Sequence, residues 1–287
     1  MAALRRSIGR WGDAHRRDLP WRRTRDPWRI LVSEVMLQQT QAARVVPRYL
    51  EFVERFPTPT DAAAAGAAEL LRAWEGLGYH RRAVNLHASA RVVVQRHRGR
   101  VPGGLADLLA LPGVGAYTAR AVLAFAFERP TGVVDTNVGR VLARGVAGRP
   151  LTAGEAQALA DRLVPGRTPW AFNQSMMDLG ALTCTARHPD CPSCPWRRRC
   201  AWRTGGAGAD PARTSAGTSR PQPPFAGSDR EGRGRLVAAL RSGPLARRDV
   251  PVAAGWAGDP ARARRVAKSL VADGVASVAP DGSLVLG

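Results

Sequence analysis

The feature that most constrains this chain is a group of four cysteines on one short loop. The only cysteines of the 287-residue sequence, Cys184, Cys191, Cys194 and Cys200, lie within a proline-containing stretch of seventeen residues, separated by six, two and five residues. Structural zinc usually takes two short cysteine pairs that lie a dozen or more residues apart, and disulfides are rare inside cells. Four thiolates on one compact loop are better suited to a cubane iron–sulfur cluster, with zinc as the alternative.

The sequence is strongly basic. Lysine and arginine number 43 against 23 acidic residues, which gives a formal net charge of +20. Such an excess attracts polyanions, so nucleic acid is the expected partner. A genome rich in G and C is an alternative source of the arginines, but it does not explain the shortage of acidic residues.

No segment has the features of a membrane span or a signal peptide. No apolar run reaches the roughly 18 residues that a span needs, and the first twelve residues are charged and lack an apolar core. The hydrophobic fraction of 45% is ordinary for a soluble globular protein. We therefore expect a cytoplasmic protein with no membrane partner.

Apolar residues recur at helical spacing along most of the first two hundred residues, and Pro and Gly separate the segments. This pattern predicts a mainly α body with two lobes. The predicted helices cover residues 28–56, 62–76, 80–97, 105–111, 117–127, 138–146 and 152–164.

The chain is predicted to divide into a body, a linker and a small second domain. Residues 1–202 form the body, whereas 203–224 are rich in Gly, Ala, Ser, Thr and Pro and are expected to be a flexible linker. Residues 225–287 read as a small winged-helix-like domain. Its predicted elements are helices at 234–240, 247–252 and 260–272, and strands at 275–278 and 284–286 joined by the turn 280–282.

Glu34 is a candidate general acid. Helical spacing places it on the same face as Ile30, Leu31 and Leu37. A carboxyl group among apolar neighbours holds its proton longer than a solvated one, which is what general acid catalysis near neutral pH requires. The alternative is a solvated glutamate on an ordinary helix.

A turn and an aspartate further along the chain form a second candidate region. Residues 111–115, with the sequence LPGVG, follow one predicted helix and open another, and their glycines let the backbone approach an anion such as a phosphate. About twenty residues later, Asp135 follows two valines at the start of a helix. The alternatives are an ordinary helix-to-helix turn and a helix N-cap.

Five motifs together resemble the adenine DNA glycosylases of the helix-hairpin-helix superfamily, to which endonuclease III also belongs. The resemblance covers about residues 5–202. The motifs are 18–22, 33–41, 76–79, the hairpin with Asp135, and the cysteines. It implies a two-lobed helix-hairpin-helix glycosylase body, a 4Fe–4S cluster in the loop 184–200, and base excision repair of double-stranded DNA with adenine mispairs, which would bring the protein to the nucleoid.

The resemblance also assigns roles to single residues. Glu34 would protonate adenine at N7, while Asp135 would stabilise the sugar oxocarbenium ion or trap it covalently. Tyr117 and Asn137 would support these two acids. Endonuclease III relatives carry a lysine at position 117 that forms a Schiff base, so Tyr117 implies release of the base to leave an abasic site, with at most weak lyase activity.

Other residues would contact the DNA. Gln39 and Tyr79 would wedge into the duplex, the alternatives being a solvated glutamine and a core tyrosine. Gly113 and Gly115 in the hairpin are expected to meet a phosphate. A loop tied by metal would also hold Arg187 and the run 197–199 in position for phosphates, the alternative being a purely structural staple. The adenine pocket would be lined by Arg17, Leu19, Trp21, Arg22 and Gln174, although Trp21 would serve equally well in the core.

The chain departs from well-studied relatives at its C-terminus. Those carry a larger Nudix-like domain that senses 8-oxoguanine, whereas here a predicted helix presents Arg262, Arg264, Arg265 and Lys268 to DNA or to solvent.

Two alternative functions are a thymine or uracil mismatch glycosylase on the same scaffold and a non-catalytic iron–sulfur DNA-binding protein. We expect a monomer, because no exposed apolar repeat is evident.

Overall fold

The computed structural model describes residues 1–206, 208–215 and 223–287, and its chain divides into two compact units. The first unit comprises 1–31, 103–109 and 114–220, and the second comprises 32–102, 110–113 and 221–287. Both are built mainly of helices, which confirms the predicted fold class. Among the described residues, no helix is both long enough and apolar enough to cross a membrane.

The helices are numbered in chain order. They are α1 (Ala2–His15), α2 (Pro27–Leu37), α3 (Ala42–Arg55), α4 (Pro59–Ala65), α5 (Ala67–Ala73), α6 (Arg81–His97), α7 (Leu105–Leu109), α8 (Ala116–Phe125), α9 (Thr136–Leu142), α10 (Ala153–Leu163), α11 (Pro169–Asp178), α12 (Ala201–Thr204), α13 (Asp229–Ser242), α14 (Val250–Ala253) and α15 (Pro260–Ala272). Two short strands follow, β1 (Ala276–Val278) and β2 (Leu284–Leu286).

Several predicted helices are shorter or more divided than expected. The segment 28–56 forms α2 and α3 with a break between them, and 62–76 forms α4 and α5, separated by Gly66 with φ at 82°. After α9 and α11 the chain continues as π-helical turns, Ala143–Ala147 and Leu179–Thr183. Turns of this kind are frequent at functional sites.

Neither α1 nor α11 was predicted from the periodicity of apolar residues. Helix α11 is the central helix of the first unit, and nearly all of its residues are buried. A helix that is buried on every side has no solvent-exposed face, so its sequence lacks the regular alternation of apolar and polar residues that reveals an amphipathic helix. It packs closely on α1 at Gly12, where an added Cβ atom would lie only 1.8 Å from Oγ of Ser175.

The second unit has an aromatic core and a C-terminal winged-helix arrangement. Phe52 and Trp74 meet edge to face, with ring centroids 5.9 Å apart. Strands β1 and β2 pair antiparallel in the order predicted for the hairpin, and an isolated bridge joins Leu245 to Leu284 as a third short edge. The C-terminal helices belong to this unit through Arg241, which donates a hydrogen bond to the carbonyl of Leu71 at 3.1 Å.

Part of the predicted linker is packed rather than solvated. Asp210 accepts two hydrogen bonds from the buried guanidinium of Arg144, at 2.9 and 2.6 Å, and Pro211 and Ala212 are buried. Proline and alanine lose almost no side-chain entropy on burial, so a segment poor in large apolar groups can still be fixed by one ion pair. Residues 207 and 216–222 of the linker lie outside the described residues, and the domain boundaries stay a prediction.

Candidate active site

Glu34 lies in α2 on a buried face. Only 5% of the residue is exposed, and its neighbours Ser33 and Val35 are buried as well. Ile30 and Leu31, predicted to share its face, are also buried. Glu34 is therefore not a solvated glutamate on an exposed helix face, which was the alternative.

Asp135 caps α9 and is held by two hydrogen bonds. Its Oδ1 accepts from the backbone N–H of Val138 at 2.7 Å, and its Oδ2 accepts from Nδ2 of Asn137 at 2.9 Å. The carboxyl group of Asp135 therefore does cap the helix, and the group predicted to act in catalysis is the same one, held in a fixed position. Burial raises the pKa of Asp135 above its ordinary value, while the hydrogen bonds from Val138 and Asn137 act against that rise.

Asn137 is itself held in place by two neighbours. Its Oδ1 accepts a hydrogen bond from Nη2 of Arg140 at 2.8 Å, and a Cβ atom at Gly180 would lie 2.6 Å from its own Cβ. Arg140 also donates to the carbonyls of Gly180 and Cys184, both at 2.6 Å. No motif in the sequence marks Arg140 as part of the site. Its position three residues after Asn137, on the same helix face, is the one sequence feature that indicates a contact between the two side chains.

The four cysteines line one small cavity, together with residues of both π-helical turns and the tryptophans Trp196 and Trp202. The buried Arg144 donates to Sγ of Cys184 at 3.5 Å, and its carbonyl accepts from Sγ of Cys200 at 3.4 Å. Among the described residues, no three His, Cys, Asp or Glu side chains already converge as ligands of a single ion. In a cubane cluster each thiolate binds a different iron, so thiols around a shared cavity fit that group.

The loop of cysteines is joined to the rest of the first unit. The indole of Trp196 is buried and donates to the carbonyl of Leu4 in α1 at 3.1 Å. A Cβ atom at Gly145 would lie 2.7 Å from this indole. Arg187 and the run 197–199 are exposed, as residues that contact phosphates must be.

Gln39 and Tyr79 both have left-handed backbone conformations, with φ of 56° and 46°. Such conformations are uncommon for residues other than glycine and are often found at functional sites. Tyr79 is 40% exposed, so the alternative of a core tyrosine does not hold. Gln39 is also exposed.

One buried arginine fastens the two loops that carry these residues. Nη1 of Arg82 donates to the carbonyls of Met36 and Gln38, at 2.7 and 2.6 Å, and to that of Val35 at 3.0 Å. Its Nη2 donates to the carbonyls of Leu77 and Gly78, both at 3.1 Å, and to Oγ1 of Thr40 at 3.0 Å. Burial lowers the pKa of Arg82 to about 10, so the guanidinium remains charged near neutral pH.

Two of the residues predicted for the adenine pocket, Arg17 and Arg22, bind a carboxylate that the sequence motifs did not reveal, that of Asp178. Arg22 donates to both oxygens of Asp178, at 2.7 and 3.0 Å, and Nε of Arg17 donates to Oδ1 at 2.6 Å. Burial would raise the pKa of Asp178, but the hydrogen bonds and charges of Arg22 and Arg17 bring it below its usual value. Trp21 and Gln174 are buried and Leu19 is half-buried, and the burial of Trp21 fits both a place in the core and a place in the pocket wall.

The turn before α8 has the backbone that its glycines suggested. Gly113 has φ at 75°, and a Cβ atom there would lie 2.7 Å from the side chain of Asn85. Gly115 precedes α8 as its N-cap, with open space where a Cβ would stand. Tyr117 follows in the first turn of α8 and is half-buried.

Comparison with known proteins defines the class of this protein. Residues 32–165 match the family described as HhH-GPD superfamily base excision DNA repair protein. An adenine DNA glycosylase of Mycolicibacterium smegmatis is 45% identical over 282 residues, which cover 96% of this chain and 93% of that protein. One of Homo sapiens is 42% identical over 214 residues, or 70% of this chain and 39% of that protein.

The chain is thus a helix-hairpin-helix base excision repair protein. Within that class it belongs to the adenine DNA glycosylase family, which confirms the resemblance seen in the sequence motifs. Two solved structures agree with the fold. A thermostable thymine-DNA glycosylase matches with a TM-score of 0.65 and 33% identity over 70% of this chain and 95% of its own. A trapped endonuclease III–DNA covalent intermediate matches with a TM-score of 0.62 and 26% identity over 70% and 94%.

Replacing Arg82 by methionine tests its fastening role. The variant Arg82→Met keeps the length of the side chain but removes the guanidinium donors. The carbonyl of Gly78 keeps the indole N–H of Trp74 as a donor, whereas a buried carbonyl left without any partner costs about 1 to 3 kcal/mol. We expect the midpoint of thermal unfolding to fall by roughly 5 to 10 °C. Arg91→Met, at an exposed position of the same helix, is the matched control, and an equal shift in both variants would contradict the role.

Proposed function

We propose that this protein hydrolyses the N-glycosidic bond of adenine that lies opposite 8-oxoguanine or guanine in double-stranded DNA, and leaves an abasic site. The observation that carries the proposal is the 45% identity to an adenine DNA glycosylase over nearly the whole chain. A match limited to the shared body, such as that with the thymine-DNA glycosylase, would support removal of a pyrimidine equally well.

In the proposed reaction two carboxyl groups divide the work, as in glycosidases. Glu34 donates a proton to N7 of adenine, the bond between C1′ and N9 breaks, and its electron pair leaves with the base. Asp135, as a carboxylate, stabilises the positive charge on the sugar or bonds to C1′. Water then supplies the hydroxyl group at C1′ and releases its other proton.

The target base has to leave the helical stack before Glu34 can reach it. In this proposal Gln39 and Tyr79 enter the duplex and replace the stacking of the departed base. Tyr117 has no amine, so it cannot form the Schiff base that leads to strand cleavage. The abasic site is then the final product.

Base release under single-turnover conditions tests the proposal. Duplexes with adenine opposite 8-oxoguanine or guanine should lose adenine, and Glu34→Gln and Asp135→Asn should each slow this at least about a hundredfold, as expected for loss of a group that acts in the transition state. Glu54→Gln, at an exposed position of α3, is the matched control. Release of thymine or uracil opposite guanine would indicate the pyrimidine alternative, and no release at all would favour a non-catalytic DNA-binding protein.

The pH dependence of base release tests the role of Asp135. Because burial raises the pKa of this carboxyl group, the rate should fall as the pH drops through that raised value and the carboxylate is protonated. Asn137→Ala removes a hydrogen bond that favours the carboxylate, so the acidic limb of the profile should move to higher pH. Thr136→Ala, at an exposed neighbouring position, should leave the limb in place; a limb that is unmoved or lowered in Asn137→Ala would refute the role.

We propose that Cys184, Cys191, Cys194 and Cys200 hold a 4Fe–4S cluster. The shared cavity and the four thiol donors support this proposal. When bound, such a cluster would fix the loop and thereby position Arg187 and the run 197–199 for contacts with phosphates.

The metal content of the protein tests the cluster directly. Anaerobically purified protein should contain four irons and four acid-labile sulfides per chain, and Cys194→Ser should lose most of both. Ser193→Ala, at the exposed neighbouring position, is the control. One zinc ion per chain without sulfide would show that the cysteines form a zinc site instead.

A further inference from the structure

The second unit contains a cleft whose lining is unusually rich in arginine. Its volume is about 640 Å³, and it lies between α13 and the loops that carry Gln39 and Tyr79. The arginines that line it are Arg44, Arg230, Arg233 and Arg241. No acidic side chain is among the described residues of this lining.

A second cavity, of about 410 Å³, adjoins the first. The two share Gln39, Tyr79, His80, Arg230 and Arg233. The residues predicted to enter the duplex therefore stand on the same walls as two arginines of the C-terminal domain. The exposed aromatic ring of Phe225 also lines the larger cleft.

Two of the arginines that line the cleft lie near carboxylates. Arg233 pairs with Asp273 at 2.5 Å, and Arg81 reaches the same carboxylate at 3.3 Å. Arg241 has Glu75 at 4.0 Å, on the limit of an ion pair. The pKa of His80 is lowered to about 4, first by burial and then by the charges of Arg241, Arg233 and Arg82.

Helix α15, which in a winged helix would be the usual one to contact DNA, has its basic residues partly engaged elsewhere. Arg262 and Arg265 both pair with Asp229, at 2.8 and 3.0 Å. Arg262 also stacks over Trp256, 4.1 Å from the ring centroid. The arginines of α13 line the cleft and also have partners, since Arg230 donates to the carbonyl of Pro223 at 2.5 Å and Arg233 pairs with Asp273.

We propose that this cleft binds a phosphate of the DNA backbone, next to the base pair into which Gln39 and Tyr79 insert. Guanidinium groups match the geometry of phosphate oxygens and bind them with paired hydrogen bonds. Residues 225–287 would thereby contribute to DNA recognition through α13, and α3 would supply Arg44 from the opposite wall. This inference rests on the proposed function, because it takes Gln39 and Tyr79 as the residues that enter the duplex.

The salt dependence of DNA binding tests the cleft. The probe is a duplex with a tetrahydrofuran abasic-site analogue opposite 8-oxoguanine, titrated in a series of KCl concentrations. Arg230→Ala and Arg44→Ala should each bind this duplex about tenfold more weakly at low salt. A plot of the logarithm of the association constant against log[KCl] has a negative slope, and its magnitude should fall by about 0.9 for each phosphate that the protein no longer neutralises. Arg248→Ala, in the same domain with a side chain 89% exposed, is the matched control.

The outcomes separate this inference from the proposed function. Adenine release by the unchanged protein is measured on the same preparations, and its absence would defeat the proposed function. If adenine is released but either variant keeps the slope of the control, the cleft does not bind the backbone. Unchanged thermal unfolding of each variant would establish that a weaker affinity comes from removal of the guanidinium group.

Discussion

A series of hydrogen bonds joins the predicted catalytic carboxylate to the loop of cysteines. It runs from Asp135 to Asn137, from Asn137 to Arg140, and from Arg140 to the carbonyl of Cys184. Each group orients the next, so the position of the carboxylate depends on the order of a loop almost fifty residues further along the chain. A metal cluster in that loop would then support the active site without taking part in the reaction.

In the second unit, one guanidinium group holds two loops in place, where the first unit uses a series of hydrogen bonds between side chains. Arg82 contacts the end of α2 and the turn before α6, and each of those segments ends in a residue with left-handed backbone. Buried carbonyl groups need donors, and a charged donor with several N–H groups satisfies many of them at once. The exposed side chains of Gln39 and Tyr79 thus belong to loops whose backbone is held by the buried guanidinium group of Arg82.

The sequence revealed those parts whose chemistry is visible in spacing. The spacing of the cysteines indicated that they share one site, and they line one cavity. The apolar face of α2 indicated a buried Glu34, and α15 begins and ends where its periodicity predicted. It did not reveal α11, which is buried on nearly all sides, or the partners of Arg82 and Asp178. Those partners are distant in sequence or are backbone carbonyls, and no residue type signals them. Within the predicted linker, the sequence also did not reveal the packed segment 210–212, whose Asp210 is held by an ion pair with the buried Arg144.

The left-handed conformations of Gln39 and Tyr79 limit which sequences evolution can place there. Surface positions usually accept many residues, but here β-branched side chains would strain the backbone whatever they contributed to DNA binding. Asparagine and glycine fit the conformation more easily, yet they offer less area for stacking. Natural variation at these two sites should therefore reflect a compromise between backbone geometry and the size of the side chain, and a harmful substitution there can act through the backbone conformation alone.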